Sequence, residues 1–304
     1  MWVIVEQEAR NFLLHSCYVR YLNLTNSGKI NNYKIADCIY QSGIEIQELE
    51  HSIQALSFAE NQTSNNLAFN TIESSLVYED NNTSIGENFY NIQVNYTQNK
   101  YQLTVNQSIY FIDQNSISLQ NHEIDKTILL GPALCLNLAM NNVFCLHSSA
   151  FKIKETIFVL MAESGTGKST IARYFHQQKN SCRIADDILP IKIEKDKVML
   201  FPQFPQLKLS NDEQYHGENL TGRIVLLFAN KNSESVSLTK LQTFDAAKNL
   251  IKHTVASRLF SQQELANHLD FCHKVASDLP AFQLTYPHQE NSLKQLLELL
   301  NELA

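Results

Sequence analysis

Apolar residues recur along this chain at two periods, and the change between them divides it. Over the first part the period is two. Ile92, Val94 and Tyr96 alternate with polar neighbours, Thr97-Gln98-Asn99-Lys100 turns the chain, and Tyr101, Leu103 and Val105 resume the alternation. That pattern predicts a β-hairpin. A second hairpin is predicted from Ile109-Tyr110-Phe111-Ile112 through Asp113-Gln114-Asn115 to Ile117 and Leu119. Upstream, the run from Cys17 to Leu24 has the aromatic and β-branched enrichment of a strand. Residues 59–91 are rich in Asn, Ser, Thr and Glu, which reads as long loops with short strands.

From Thr127 the period lengthens. Thr127 to Met140 is apolar on most faces and predicts a buried helix with Pro132 in its first turn. Strand-like segments follow at 143–146, 156–161, 183–189, 191–194, 197–201, 224–229 and 282–286, with helices near 168–178, 244–256, 262–278 and 290–303. Strands alternating with helices predict an α/β nucleotide-binding domain over residues 127–304, preceded by a smaller β-rich domain over residues 1–126.

Composition narrows the classes. A chain of 304 residues exceeds the usual size of one core and suits two domains. Its net charge of −7 supplies no basic excess to neutralise a phosphate backbone, so nucleic acid is not an expected partner. The six cysteines are scattered with no C-x-x-C pair, which fits reduced structural thiols. The first residues lack the basic stretch of a secretory signal, and no apolar run approaches a membrane span. The expectation is a cytoplasmic protein with no membrane partner.

The candidate chemistry begins at Ile157-Phe158-Val159-Leu160-Met161-Ala162-Glu163-Ser164-Gly165-Thr166-Gly167-Lys168-Ser169-Thr170. A buried strand, a small-residue loop and a helix start are what a nucleotide-phosphate cradle needs, because loop N–H groups and the helix N-terminus converge on the anion. Residues 163–170 (Glu163, Ser164, Gly165, Thr166, Gly167, Lys168, Ser169 and Thr170) are the predicted nucleotide-binding set. Lys168 is expected to reach the β- and γ-phosphates, and the Ser169 hydroxyl to take a place on Mg²⁺. Ala162 stands where the phosphate-loop pattern has its leading glycine.

Asp186 and Asp187, at the end of the apolar segment Arg183-Ile184-Ala185, form a second constellation. Two adjacent carboxylates need a compensating cation or proton, and a Mg²⁺–nucleotide supplies one. In phosphoryl transfer one carboxylate orients the metal and another accepts the proton of the attacking hydroxyl. His147 follows a short apolar run one strand before the cradle. Lys208, Arg223 and Arg258 are secondary cations, each by itself better read as a surface charge.

In order, Leu146-His147-Ser148-Ser149-Ala150, the loop 162–170 and Ala185-Asp186-Asp187 resemble the signature of HPr kinase/phosphorylase and its stand-alone HPr-kinase-related relatives. Residues 201–209 and 279–287 are similar to segments of those relatives. The resemblance covers residues 127–304. It implies a phosphoenolpyruvate-carboxykinase-like P-loop core, Mg²⁺ and ATP as cofactors, and phosphate transfer to a serine-type hydroxyl of a protein or peptide. It further implies Lys168 on the phosphates, Ser169 and Asp187 on the metal, Asp186 as general base, and His147 as the partner that tunes Asp186. Thr170 replaces a glutamate of the bifunctional enzyme, and its C-terminal signature is missing, so reverse phosphorylase activity and HPr itself are not implied. Two other readings stand beside this one: a kinase for small hydroxyl compounds, and an ATP-binding regulatory or scaffold protein without transfer. The acceptor and a homo-oligomeric state are left open.

Overall fold

The computed structural model describes residues 19–23, 31–35, 38–42, 75–85, 88–120, 125–205, 209, 215, 217, 219–230, 235–287 and 289–304. The fold is mixed α/β with two sheets. The chain divides into two compact units, Met1–Asn141 with Arg258–Ser261, and Asn142–Ser257 with Gln262–Ala304.

The first unit holds an eight-stranded sheet in the order β2-β3-β1-β8-β7-β6-β5-β4. Its strands are β1 (Val19–Asn23), β2 (Asn31–Ile35), β3 (Cys38–Ser42), β4 (Ser75–Ile85), β5 (Asn88–Thr97), β6 (Lys100–Val105), β7 (Ser108–Ile112) and β8 (Ser116–Gln120). From β4 to β8 each strand pairs antiparallel with the next, whereas β1 runs parallel to both β8 and β3. Both predicted hairpins form. Tyr96 faces Tyr101 across the first, and Gln98 and Asn99 turn it with φ of 46° and 60°. In the second, the Asp113 carboxylate accepts from the backbone N–H of Asn115 and Ser116 at 2.8 and 2.9 Å. The alternation buries Ile92, Val94, Tyr101, Leu103, Val105, Tyr110, Ile112 and Ile117.

Two expectations change here. Residues 75–85 form one long strand rather than loops; its pairing with β5 slips between Leu76 and Tyr78 and again between Asp80 and Thr83. Bulges of this kind interrupt the alternation, so a polar run reads as loop although it is paired. The rest of the Asn-rich stretch, 59–74, lies outside the described residues, as do Cys17, Tyr18 and Leu24 beside β1. The helix expected over 127–140 is broken. Asp125 caps α1 (Lys126–Ile128), a π-helical segment spans Leu129–Ala133, and α2 (Leu134–Ala139) follows. Gly131 leaves helical geometry at φ −99° and ψ −108°, so Pro132 falls inside the run and starts its second half. The Asn137 amide donates to the Asp113 carbonyl at 2.5 Å, fastening α2 to the β7–β8 turn within the first unit.

The second unit holds a seven-stranded sheet in the order β12-β11-β9-β10-β13-β15-β14. Its strands are β9 (Phe144–Ile153), β10 (Thr156–Met161), β11 (Ser181–Glu194), β12 (Lys197–Leu200), β13 (Arg223–Asn230), β14 (Ser237–Lys240) and β15 (Ala281–Thr285). Helices α3 (Lys168–His176), α4 (Thr243–His253), α5 (Gln262–Asp278) and α6 (Glu290–Leu303) complete it. β10, β13 and β15 are parallel, while β9 runs antiparallel to both β10 and β11. All six residues of β10 are buried, as the continuous apolar run Thr156–Met161 requires of a central strand. Ile171, Ala172 and Phe175 form the buried face of α3, with the Phe175 ring 4.6 Å from Phe151 and Phe151 5.7 Å from Phe158.

The strands expected at 183–189 and 191–194 are one strand, β11, which continues through Pro190. A proline there forgoes only its own N–H, and its carbonyl still accepts from Phe201 at 3.0 Å. Cys135, Cys145, Cys182 and Cys272 are free thiols. Among the described residues, no helix is long and apolar enough to cross a membrane.

Candidate active site

The loop 162–167 joins the C-terminal end of β10 to the first turn of α3. Gly165 and Gly167 take φ of 74° and 101°, where a side chain is strained, so these two positions require glycine. Ala162 is not among the residues with positive φ, so its replacement of a glycine costs the loop nothing conformationally. Gly167, the N-cap of α3, offers its first turn no side-chain cap. The Tyr286 hydroxyl, just past β15, donates to the Thr166 carbonyl and fixes the loop from two strands away, with β13 between β10 and β15. Burial pushes that phenol up to about 12, so it remains a donor. Lys168 is buried, and its ammonium donates to the carbonyls of Ala162 and Glu163 at 2.7 and 3.3 Å.

Asp186 and Asp187 reach this loop because β11 lies two strands from β10, with β9 between them. A register shift between Arg183 and Ala185 sets Asp186 opposite Ser149 and Asp187 opposite Ser148 of β9. Bulges re-aim side chains in this way. One carboxylate oxygen of Asp186, Oδ1, accepts from Ser149 Oγ at 2.5 Å and from Ser169 Oγ at 2.8 Å. The other, Oδ2, stands 3.7 Å from the guanidinium of Arg183, and both side chains are almost wholly buried. The Ser169 contact ties the helix start bearing Lys168 to the twin-acid strand.

Asp187 is placed differently. Its φ of 105° is one that non-glycine residues rarely adopt, and it faces His147, whose Nδ1 lies 3.6 Å from its carboxylate. The sequence reading pairs His147 with Asp186; the ion pair seen here is with Asp187, whose positive φ departs from regular strand geometry. Ser169, expected on the metal with Asp187, donates to Asp186.

No family model matches the chain, and no curated protein matches it. A solved structure, that of the Hpr(Ser) kinase/phosphatase from Coxiella burnetii, aligns with 52% of this chain and 88% of its own at 11% identity and a TM-score of 0.29. So low a score leaves the functional reading to the residues of the site.

Of the predicted set, Ser169 meets Asp186 and His147 meets Asp187, while Lys168, next to Ser169 in sequence, donates to the loop carbonyls. Glu163, Ser164, Gly165 and Thr170 are exposed, and Thr166 is buried. Arg223 does not join them: it opens β13 opposite Thr156, at the far end of the sheet from the loop. Arg258 belongs to the other unit, and Lys208 lies outside the described residues.

Sequence reasoning missed five neighbours. Ser149 and Arg183 sit inside the quoted motifs but carry no spacing signal; only strand register brings them to Asp186. Tyr286, Lys252 and His253 come from distant segments. Lys252, in the last turn of α4, meets Glu163 of the loop at 2.7 Å. His253 is held down to about 4, first by its burial and then by the charges of Lys252, Lys168 and His147, with Glu163 acting the other way.

The oxygen donors Ser169 Oγ and Asp186 suit a hard cation. Mg²⁺ is commonly held by one or two protein oxygens together with substrate phosphates and water. Among the described residues, no group of three or more His, Cys, Asp and Glu could hold a metal ion by itself. Ser169 and Asp186 therefore fit a Mg²⁺ that is bound along with a nucleotide.

Proposed function

We infer that the chain is a Mg²⁺-ATP-dependent kinase that transfers the terminal phosphoryl group to a serine-type hydroxyl of a protein or peptide. The observation that carries this reading is the 2.8 Å hydrogen bond from Ser169 to Asp186, which unites the Lys168 loop and helix start with the twin-acid segment in the middle of β11. The loop amides, the α3 N-terminus and Lys168 would hold the phosphates. Ser169 and Asp186 would hold Mg²⁺, which when bound neutralises charge on the phosphates. Arg183 and Ser149 keep the Asp186 carboxylate turned toward Ser169.

Asp187 is then the group left for the acceptor. As the acceptor oxygen bonds to the γ-phosphorus and the bond to the ADP oxygen breaks, the hydroxyl proton passes to the Asp187 carboxylate. His147 fixes that carboxylate in orientation. A carboxylate in this role contributes positioning and late proton acceptance rather than early deprotonation. This exchanges the two roles that the sequence resemblance implies for the acids, and the exchange rests on their different neighbours.

The test is transfer of labelled γ-phosphate from Mg²⁺-ATP to a mixture of serine peptides and small hydroxyl compounds. Lys168→Met should lower transfer by about a thousandfold, the scale on which charge-stabilising groups act. Asp187→Asn should lose transfer while retaining ATP affinity, and Asp186→Asn should lose Mg²⁺-dependent affinity as well. Undiminished transfer by Lys168→Met contradicts the reading. The reverse pattern between the two asparagine variants restores Asp186 as the base.

A further inference from the structure

The C-terminal end of α4 is built into the wall of this site by contacts that a surface helix end does not need. Thr254 forms an antiparallel bridge with Leu146, and the Val255 N–H donates to the Cys145 carbonyl at 2.8 Å, next to His147 on β9. Thr254 Oγ is held from below by the Leu250 carbonyl at 2.9 Å and by His268 Nε2 at 2.8 Å. The His253 ring stacks on Phe228 with centroids 6.3 Å apart, which orients the last turn of α4. Lys252 therefore projects from a fixed point, and its ammonium rests on the Glu163 carboxylate of the loop.

A lysine in a helix's last turn has a plain alternative role, complementing the helix dipole. That role needs no partner in another element. Lys252 instead reaches across 89 positions of sequence to the loop. The same small region carries Lys168, His147 and Glu163, all close enough to act on His253.

Resting on the kinase reading above, we propose that Lys252 is a further phosphate-binding side chain of this site, which exchanges the Glu163 carboxylate for the phosphates of a bound nucleotide. Glu163 is the resting partner that keeps the ammonium at the loop. An anion of higher charge density than a carboxylate competes for the same ammonium, and a flexible four-carbon stem permits the move.

The experiment is calorimetric titration of Mg²⁺-ATP and of AMP into the full chain carrying Lys252→Met, Glu163→Gln, both, or Lys252→Arg, with Lys168→Met as reference. Lys252 is more than half exposed, so its variants should fold as the wild type does. Lys252→Met should weaken ATP about 5- to 20-fold, the range of one charge-assisted contact, and change AMP far less. The loss should persist when Glu163 is already Gln, and Lys252→Arg should restore most of it. If Lys252→Met has no effect, or only the effect that Glu163→Gln has by itself, while Lys168→Met still abolishes binding, the inference fails and the kinase reading stands. If the wild type binds no ATP, both fall together.

Discussion

The two sheets of this protein bury different things. In the eight-stranded unit the buried polar side chains among the described residues are uncharged and hydrogen-bonded: Tyr101 accepts from the Ser261 N–H at 2.7 Å, Tyr110 donates to the Asp125 carbonyl at 3.5 Å, Tyr90 donates to the Asp125 carboxylate at 3.0 Å, and Asn137 donates to the Asp113 carbonyl. In the seven-stranded unit Lys168, Arg183, Asp186, Ser148 and Ser149 are all buried, on the middle of β9, on β11 and just past the C-terminal end of β10. Burying charge is costly unless it is paired and hydrogen-bonded, so these residues must satisfy one another or a bound partner. One sheet is assembled mainly from adjacent strands. The other gathers its buried charge beside the loop 162–167.

The contrast can be broken first through the cores. Phe158→Ala in β10 and Leu103→Ala in β6 each remove a side chain with no exposure, at a cost of about 2 to 5 kcal/mol. Hydrogen exchange should rise by about a hundredfold or more in β9, β10 and β13 for the first variant, and in β5, β6 and β7 for the second. Equal acceleration of both sheets by either variant would show that the two cores are not distinct.

A smaller effect should come from the buried histidine under the site. Burial holds His268 down to about 4, well below its ordinary value. A histidine whose folded value is depressed contributes its stability above the unfolded value and loses it as pH falls toward the folded one. Stability should therefore fall between about pH 6.5 and 4, by up to about 1.4 kcal/mol per pH unit from this group. Urea unfolding of the wild type and of His268→Gln across that window checks it: the variant should be less stable at pH 7 and lose less on acidification. Parallel curves would remove His268 as a cause.

How much of this was legible from the residues follows from the range of each contact. The hairpins were readable because turn and alternation sit within a few positions: Gln98 and Asn99 take the left-handed geometry that the turn requires, beside alternating strands. The helices at 262–278 and 290–303 were readable from period alone. The strand, glycine loop and helix start around Lys168 were readable because they are contiguous. β4 was not, because its bulges break the alternation. The partners of the twin acids were not either. Which serine meets Asp186, and which acid meets His147, depends on the register of β11 against β9 and on a bulge within it. Sequence spacing carries neither. The contribution of α4 was hidden for the same reason, since Lys252 and Glu163 are neighbours only after the sheet has formed.

The most direct test of the central claim is a double-mutant cycle on Ser169→Ala and Asp186→Asn, read as the affinity for ATP with Mg²⁺ and again with the metal chelated. If these two oxygens hold one cation beside the Lys168 loop, each variant should weaken Mg²⁺-ATP, and the double variant should be little worse than either, with a coupling of about 1 kcal/mol or more. Without Mg²⁺ the differences should vanish. Effects that simply add, or that are the same with and without the metal, would contradict a shared metal–nucleotide site.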